Sequence, residues 1–481
     1  MSQIRVGFAL LVLGAAGASA QQQITLSDAI AMAQKQGFRA AAAIATRDAA
    51  RAENTAFSRR NLPQFSLNGE APQYEKAITP VTQQDGSTAF VPVQQTRARA
   101  GLTVSQRIPF TGADFSVTSS LQRYERTGNQ ANLTWSSTPV NFEIVQPVLR
   151  PNAMRWDSRV QDAEATVAER QYLETREEVA LATSNAFFDF YIAQRSLANA
   201  AFNAATNDTL YNLNKGRLEI GKIGENDLLQ SELALLRAQA SLDNAGLEYE
   251  RASAQFRLAI NVPAGTPIDV AIPAEIPVVN PDTAIAVAQA LKNRAQMSQL
   301  ELQRIQAQRG VAEARLGGGP TANIRAGFGL NQTATDVGQV YQNTLESQRF
   351  TLGMNIPLLS WGARGADVQA ARLQARRAEA TANATREQLI QEAYFSARQL
   401  SQARRNVEIS AKADTVAQKR FEVAYNRYVI GRINVDNLYI AQNEKDQAVN
   451  QYLQALKNYW AAYYRLRQVT LYDFEAGRPL D

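Results

Sequence analysis

For about sixty residues at a time, Asn152–Asn214 and again Ala366–Tyr425, this chain contains neither proline nor glycine. Proline breaks a helix and glycine weakens one, so their joint absence over such lengths predicts two very long helices. At 1.5 Å rise per residue each is a rod on the order of 90 Å, a length that belongs to coiled coils and helical barrels. Both rods run into the same short sentence. Arg217–Leu228 reads RLEIGKIGENDL and Arg427–Leu438 reads RYVIGRINVDNL, 210 residues further on. Glycine supplies the left-handed backbone that ends a helix. The chain is therefore expected to reverse at Gly221 and Gly431, with Asn226 and Asp436 capping the returning helices.

Other echoes make the whole chain a duplication. AIAMAQ at Ala29–Gln34 returns as AIAVAQ at Ala284–Gln289, and FEIVQPVL at Phe142–Leu149 aligns with LGMNIPLL at Leu352–Leu359. The returning helices carry heptad seams: Leu228, Leu235, Leu242, Tyr249 and Phe256 in one, and Val449, Tyr452, Leu456, Tyr459, Tyr463 and Leu466 in the other. The expected organisation is a first repeat over 21–261, a proline-rich linker over 262–281, a second repeat over 282–470 and a tail over 471–481. Each repeat opens on an alanine-rich helix, Leu26–Arg60 or Asp282–Leu316.

Between opening helix and rod the apolar period changes to two, the signature of strands with one apolar and one wet face. The runs are Leu102/Val104/Ile108, Phe115/Val117/Leu121 and Val140/Phe142/Ile144, then Ile324/Ala326/Phe328/Leu330 and Phe350/Leu352/Met354/Ile356. Pro109, Pro147 and Pro357 punctuate three of them and mark where strands leave a sheet at one common level. So few strands cannot close a barrel alone, and rods with a narrow seam need partner helices, so a homo-oligomer is expected.

Met1–Ala20, with Arg5, an apolar core and Ala18-Ser19-Ala20, has the three-part pattern of a signal peptide. No later stretch approaches eighteen uninterrupted apolar residues, which leaves a periplasmic protein, a secreted one or an outer-membrane β-barrel. The formal charge of +5 becomes about +4 without Arg5, and the charges alternate along helices as on a solvated face, so no nucleic-acid partner is expected. The chain has no His and no Cys, which excludes His-dependent triads, Cys nucleophiles and disulfides, and leaves no zinc site. Gly317-Gly318-Gly319-Pro320 lacks the Lys-Ser/Thr of a phosphate loop and reads as a turn, and the five Met are too scattered for a copper relay. Neither an enzyme nor a bound cofactor or metal is expected.

An exported chain of two repeats, each helix, strands, long helix, glycine turn and returning helix, resembles the TolC-type outer-membrane efflux protein family over 21–481. The carriers are the paired turns, LSDAIAMAQ at Leu26–Gln34, and the strand ends QPVL and IPLL. The resemblance implies a mainly α fold of duplicated coiled-coil hairpins, with strands contributing to a trimeric transmembrane β-barrel in outer-membrane lipid and a large periplasmic part. It implies a small-molecule exit duct for an inner-membrane pump. The hairpin tips would meet a periplasmic adaptor protein through Arg217, Ile220, Gly221, Lys222, Ile223 and Leu228 and their counterparts Arg427, Ile430, Gly431, Arg432, Ile433 and Leu438. Some members also carry carboxylates at a tip constriction; Asp227 matches that position, while Asn437 stands there in the second turn with Asp436 one residue earlier. Family repeats usually supply two strands each, yet Ala98–Ile108 and Asp114–Tyr124 form an additional alternating pair, either in the sheet or outside it. The shared proline punctuation favours six strands per chain. An exit duct for protein secretion, or an exported coiled-coil structural protein without a conduit, are the alternatives.

Overall fold

The computed structural model describes residues 23–127, 131–272 and 276–480; the signal-peptide expectation for 1–20 lies outside them. The chain begins with β1 (Ile24–Thr25), α1 (Leu26–Gln36) and α2 (Phe38–Arg60). Four strands follow, β2 (Gln64–Thr82), β3 (Thr88–Ile108), β4 (Ala113–Thr127) and β5 (Asn132–Val148), then the helices α3 (Ala153–Glu219) and α4 (Glu225–Ile260). After β6 (Val270–Ala271) come α5 (Thr283–Asn293), α6 (Ala295–Gly317), β7 (Thr321–Ala334), β8 (Leu345–Asn355), α7 (Ala363–Val429) and α8 (Val435–Thr470). A small pair, β9 (Tyr472–Asp473) and β10 (Arg478–Pro479), closes the chain. The rods α3 and α7 have 67 residues each and the returning α4 and α8 have 36 each.

The opening helices are not continuous. Gly37 is extended (φ −69°, ψ 144°) and separates α1 from α2; a Cβ there would lie 2.4 Å from the Ala33 carbonyl oxygen. Glycine thus permits a sharp break that the alanine-rich composition conceals. In the second repeat the break falls at extended Arg294 (φ −61°, ψ 134°), with no glycine or proline to announce it; there tertiary packing overrides helix propensity.

The chain forms two compact units. One comprises the described parts of Met1–Ile44, Leu173–Ala290 and Gln391–Asp481. Its core is aromatic: Phe190 stacks on Phe256 with ring centroids 5.6 Å apart, and Phe187 meets Phe256 edge-on at 5.7 Å. The heptad residues Leu456, Tyr459, Tyr463 and Leu466 of α8 are buried in the same cluster. So are Ile268, Val270 and Val279 of the proline-rich stretch, and β6 pairs in parallel with β1. The stretch is non-helical as its prolines require, yet it is packed, and the Tyr459 hydroxyl donates to the Pro277 carbonyl. At the far end of α8, Arg467 donates to Glu177 at 2.9 Å and to Asp473 at 2.5 Å, tying the tail to α3. Phe256 is fully buried, and Phe256→Ala is expected to cost about 3–5 kcal/mol, read as a lowered midpoint in thermal unfolding.

The other unit, Ala45–Tyr172 and Leu291–Ile390, holds a six-stranded sheet in the order β2-β3-β4-β5-β7-β8. All five pairings are antiparallel. Both segments of the additional pair lie inside the sheet, Ala98–Ile108 within β3 and Asp114–Tyr124 within β4. β2 and the first part of β3 escape a sequence reading because Pro72, Pro80 and Pro92 interrupt them. Each proline sits where no ladder donor is needed. Pro72 falls at the register shift between Glu70 and Gln73 on an edge strand, and Pro92 precedes Gln94, where β3 begins to pair with β4.

Candidate functional site

The two helix reversals belong to the helical unit and have the same backbone. Gly221 (φ +68°) donates to the Leu218 carbonyl at 2.8 Å and Lys222 to that of Arg217 at 2.9 Å; Gly431 (φ +75°) and Arg432 repeat this onto Tyr428 and Arg427, both at 2.9 Å. This 6→1 and 5→2 pair satisfies carbonyls that the helix end leaves open. A Cβ at either glycine would meet nothing within 4 Å, so only the left-handed backbone selects glycine. The returning helices begin two residues earlier than their expected caps. The N-caps are Gly224, without a side-chain bond, and Asn434, whose Oδ1 accepts from the Asn437 amide; Asn226 and Asp436 lie inside the first turn instead. Asx and glycine side by side offer several cap positions, and backbone geometry chooses among them.

Identical letters in the two turns do different work. Arg217 reaches the other hairpin, where Nη2 donates to the Val429 carbonyl at 3.0 Å and the Tyr428 carbonyl at 3.3 Å, with the guanidinium 5.1 Å from the Tyr428 ring. The Tyr428 hydroxyl donates to Asn214 Oδ1 at 2.6 Å. Leu210, Phe421, Tyr428, Val435 and Leu438 form a small core with Ile433 packed against it. Burial, and Tyr428 beside it, push the neighbouring Tyr439 phenol up to about 12, so it stays neutral. Arg427, by contrast, is exposed and makes no polar contact among the described residues. Leu218 stands in the first turn where Tyr428 stands in the second, and this difference between the copies is the signal for the asymmetry.

Of the other motif residues, Leu438 is buried, and Ile223 and Leu228 are half-buried. Ile220 and Ile430 remain 66% and 64% exposed, each followed by its glycine and an exposed cation, Lys222 or Arg432. The candidate constriction residues differ in their hydrogen-bond partners. Asp436 accepts from Gln230 at 2.5 Å, Asn437 donates to Asn434 at 2.6 Å, and the Asp227 carboxylate takes no hydrogen bond among the described residues. Gln230, Asn214 and Tyr428 were not foreseen, because nothing in a linear motif shows which hairpin its side chains cross to.

The sheet has two unlike faces. Phe65, Val104, Val117, Phe142 and Phe328 lie side by side across five strands. One residue along, Ser66, Thr103, Thr118, Asn141, Gly329 and Ser347 form a row across all six. The apolar row's face is open: Phe65, Leu67, Leu102, Phe142, Phe328, Phe350 and Leu352 are all exposed. The polar face carries Glu143 and Arg325, 3.7 Å apart, and a 450 Å³ recess whose lining includes Arg99, Asn141, Glu143 and Arg349. Among the described residues no helix is long and apolar enough to cross a membrane.

Residues 286–470 match the family model described as outer membrane efflux protein. In fold, the chain is similar to the outer membrane channel CmeC of Campylobacter jejuni, with a TM-score of 0.67 at 14% identity over 95% of this chain and 87% of that one. The outer membrane protein VceC of Vibrio cholerae gives 0.67 at 12% identity, covering 95% and 97%. The MtrE outer membrane channel of Neisseria gonorrhoeae, solved in an open state, gives 0.61 at 15%, covering 92% and 88%. No curated protein matches in sequence.

Because the Arg217 side chain braces the second turn and that of Arg427 holds nothing among the described residues, Arg217→Ala is expected to loosen Ile430–Ile433 by about 1–2 kcal/mol, as for a charge-assisted hydrogen bond that is partly solvated. Amide hydrogen exchange across that turn should quicken in Arg217→Ala and change far less in Arg427→Ala.

Proposed function

We propose that this chain is an outer membrane efflux protein, the exit duct of a tripartite efflux system, working as a homotrimer that passes small molecules from an inner-membrane pump across the outer membrane. The observation that carries this reading is the sheet with one open apolar face and one polar face, in register over six strands. An apolar face suits lipid, a polar face suits an aqueous lumen, and open edges cannot face lipid. The edges β2 and β8 therefore call for further copies. The helices call for them too: α4 leaves Leu229, Leu233 and Leu236 exposed at helical spacing, a stripe that a neighbouring helix would cover. Purified protein in detergent is expected to sediment as a trimer, and a stable folded monomer would contradict the reading. In planar bilayers it should conduct ions, which a coiled-coil spacer would not.

The turns are the surface we assign to the periplasmic adaptor. Arg217, Ile223, Leu228, Ile433 and Leu438 have structural duties, so docking falls to Ile220, Lys222, Arg427, Ile430 and Arg432, with Gly221 and Gly431 setting the backbone that presents them. An apolar knob beside a cation, offered twice, suits a small contact of defined shape. Replacing both glycines with valine imposes about 1–2 kcal/mol per left-handed position. It is expected to weaken adaptor binding and drug efflux while leaving trimers and outer-membrane insertion intact. Normal binding by the double variant would remove the turns from the docking surface.

A further inference from the structure

We propose that the wall contains six strands from every copy, so that three copies close an eighteen-strand barrel through a seam between β8 of one copy and β2 of the next. The inference rests on the reading of the apolar face as the lipid face.

The two repeats differ at one place. Between its opening helices and its rod the second repeat has two strands, β7 and β8, whereas the first has four. Antiparallel strands can be added in pairs without changing the end at which the last one arrives, so the same rod can follow two strands or four. The added pair is continuous with its neighbours. β4 pairs with β3 from Ala113 to Thr127 and with β5 over nearly the same length, and the apolar row passes through Val117 without changing face.

The corner between β3 and β4 is also built like the other strand ends. Phe110 in that corner and Leu358 and Trp361 in the corner after β8 are 93%, 93% and 89% exposed. Large apolar and aromatic side chains at the level where strands end are what a membrane–water boundary selects. The corner is clasped from below: Asn152 Nδ2 donates to the Pro109 carbonyl at 2.7 Å, while its Oδ1 accepts from the Arg155 amide at 3.1 Å in the first turn of α3. Gly112 (φ +77°) leaves room, since a Cβ there would lie 3.1 Å from that asparagine side chain. The second repeat has Gly362 where the first has Asn152, and no inserted corner to hold.

The seam follows from direction and exposure. Six alternating strands leave β2 and β8 antiparallel to each other, so β8 of one copy can pair with β2 of the next around a closed ring. Their apolar residues are the most exposed of the face: Phe65 and Leu67 at 74% and 80% and Phe350 at 73%, against 42% for Phe142 and 45% for Phe328 on inner strands. A second copy laid against each edge extends the lipid-facing row and covers those flanks. With strands about 4.8 Å apart and tilted about 40°, eighteen strands give a backbone diameter of about 36 Å, against about 24 Å for twelve. The outer mouth is then wide enough that it does not select the cargo.

The chain has no cysteine, so single cysteines report cleanly. In the intact protein reconstituted into phosphatidylcholine vesicles, bimane on V117C should be quenched by doxyl-labelled lipid as strongly as on F328C of the second repeat. T118C should escape quenching and react with a membrane-impermeant maleimide. Quenching at F328C but not at V117C would put β3 and β4 outside the wall and overturn the proposal while sparing the lipid-face reading. Quenching at neither would overturn both. Cryo-electron microscopy of the unmodified protein in lipid nanodiscs supplies the count directly: six wall strands per copy joined through β8 and β2 support the proposal, and four overturn it.

Discussion

The open hydrogen-bonding edges of β2 and β8 are the constraint on which the rest of this structure turns. A strand edge exposes amides and carbonyls that must find partners, and in the absence of water the only partners are other strands. Everything about the sheet is compatible with pairing that is finished elsewhere: an even number of strands, antiparallel throughout, with edges running in opposite senses.

The helical unit answers a different constraint. Rods of this length have too little local hydrophobic contrast to fix their own neighbours, and the chain supplies specificity at two levels. Toward one end of the unit's sequence span, Phe187, Phe190 and Phe256 join the α8 heptad residues and the proline-rich stretch in one core. At the turns, Arg217, Tyr428 and Asn214 link one hairpin to the other through polar contacts with definite geometry. Aromatic packing supplies most of the burial, whereas the guanidinium contact, one nitrogen shared between two carbonyls, fixes which carbonyls meet which turn.

How much of this the sequence disclosed depended on whether a feature was periodic or relational. The rods, the glycine reversals and the alternating strands repeat along the chain, so they can be read from spacing alone. The break at Gly37 was visible as a glycine but was outweighed by the alanines around it, and the break at Arg294 has no local cause at all. β2 was hidden because prolines that are harmless on an edge look like strand breakers until the edge is known. At the candidate site the motif singled out twelve residues without separating those that hold the turns together from those that remain exposed. That separation depends on contacts such as Arg217 with Val429, which join residues more than two hundred positions apart.

The equal lengths of the paired helices, 67 with 67 and 36 with 36, carry a consequence for how such a chain can change. The two turns work like the jaws of one caliper, because Arg217 must arrive level with the last carbonyls of α7. Adding a single heptad to the outgoing and returning helices of one hairpin alone would slide its jaw about 10 Å past the other, at 1.5 Å per residue. The brace would be lost although every local rule of helix and turn had been respected. Lengthening is tolerable only when both repeats accept the same number of residues, so this protein can grow or shrink only in matched steps, and a record of unmatched insertions in the rods of its relatives would be confined to those that brace their turns in some other way.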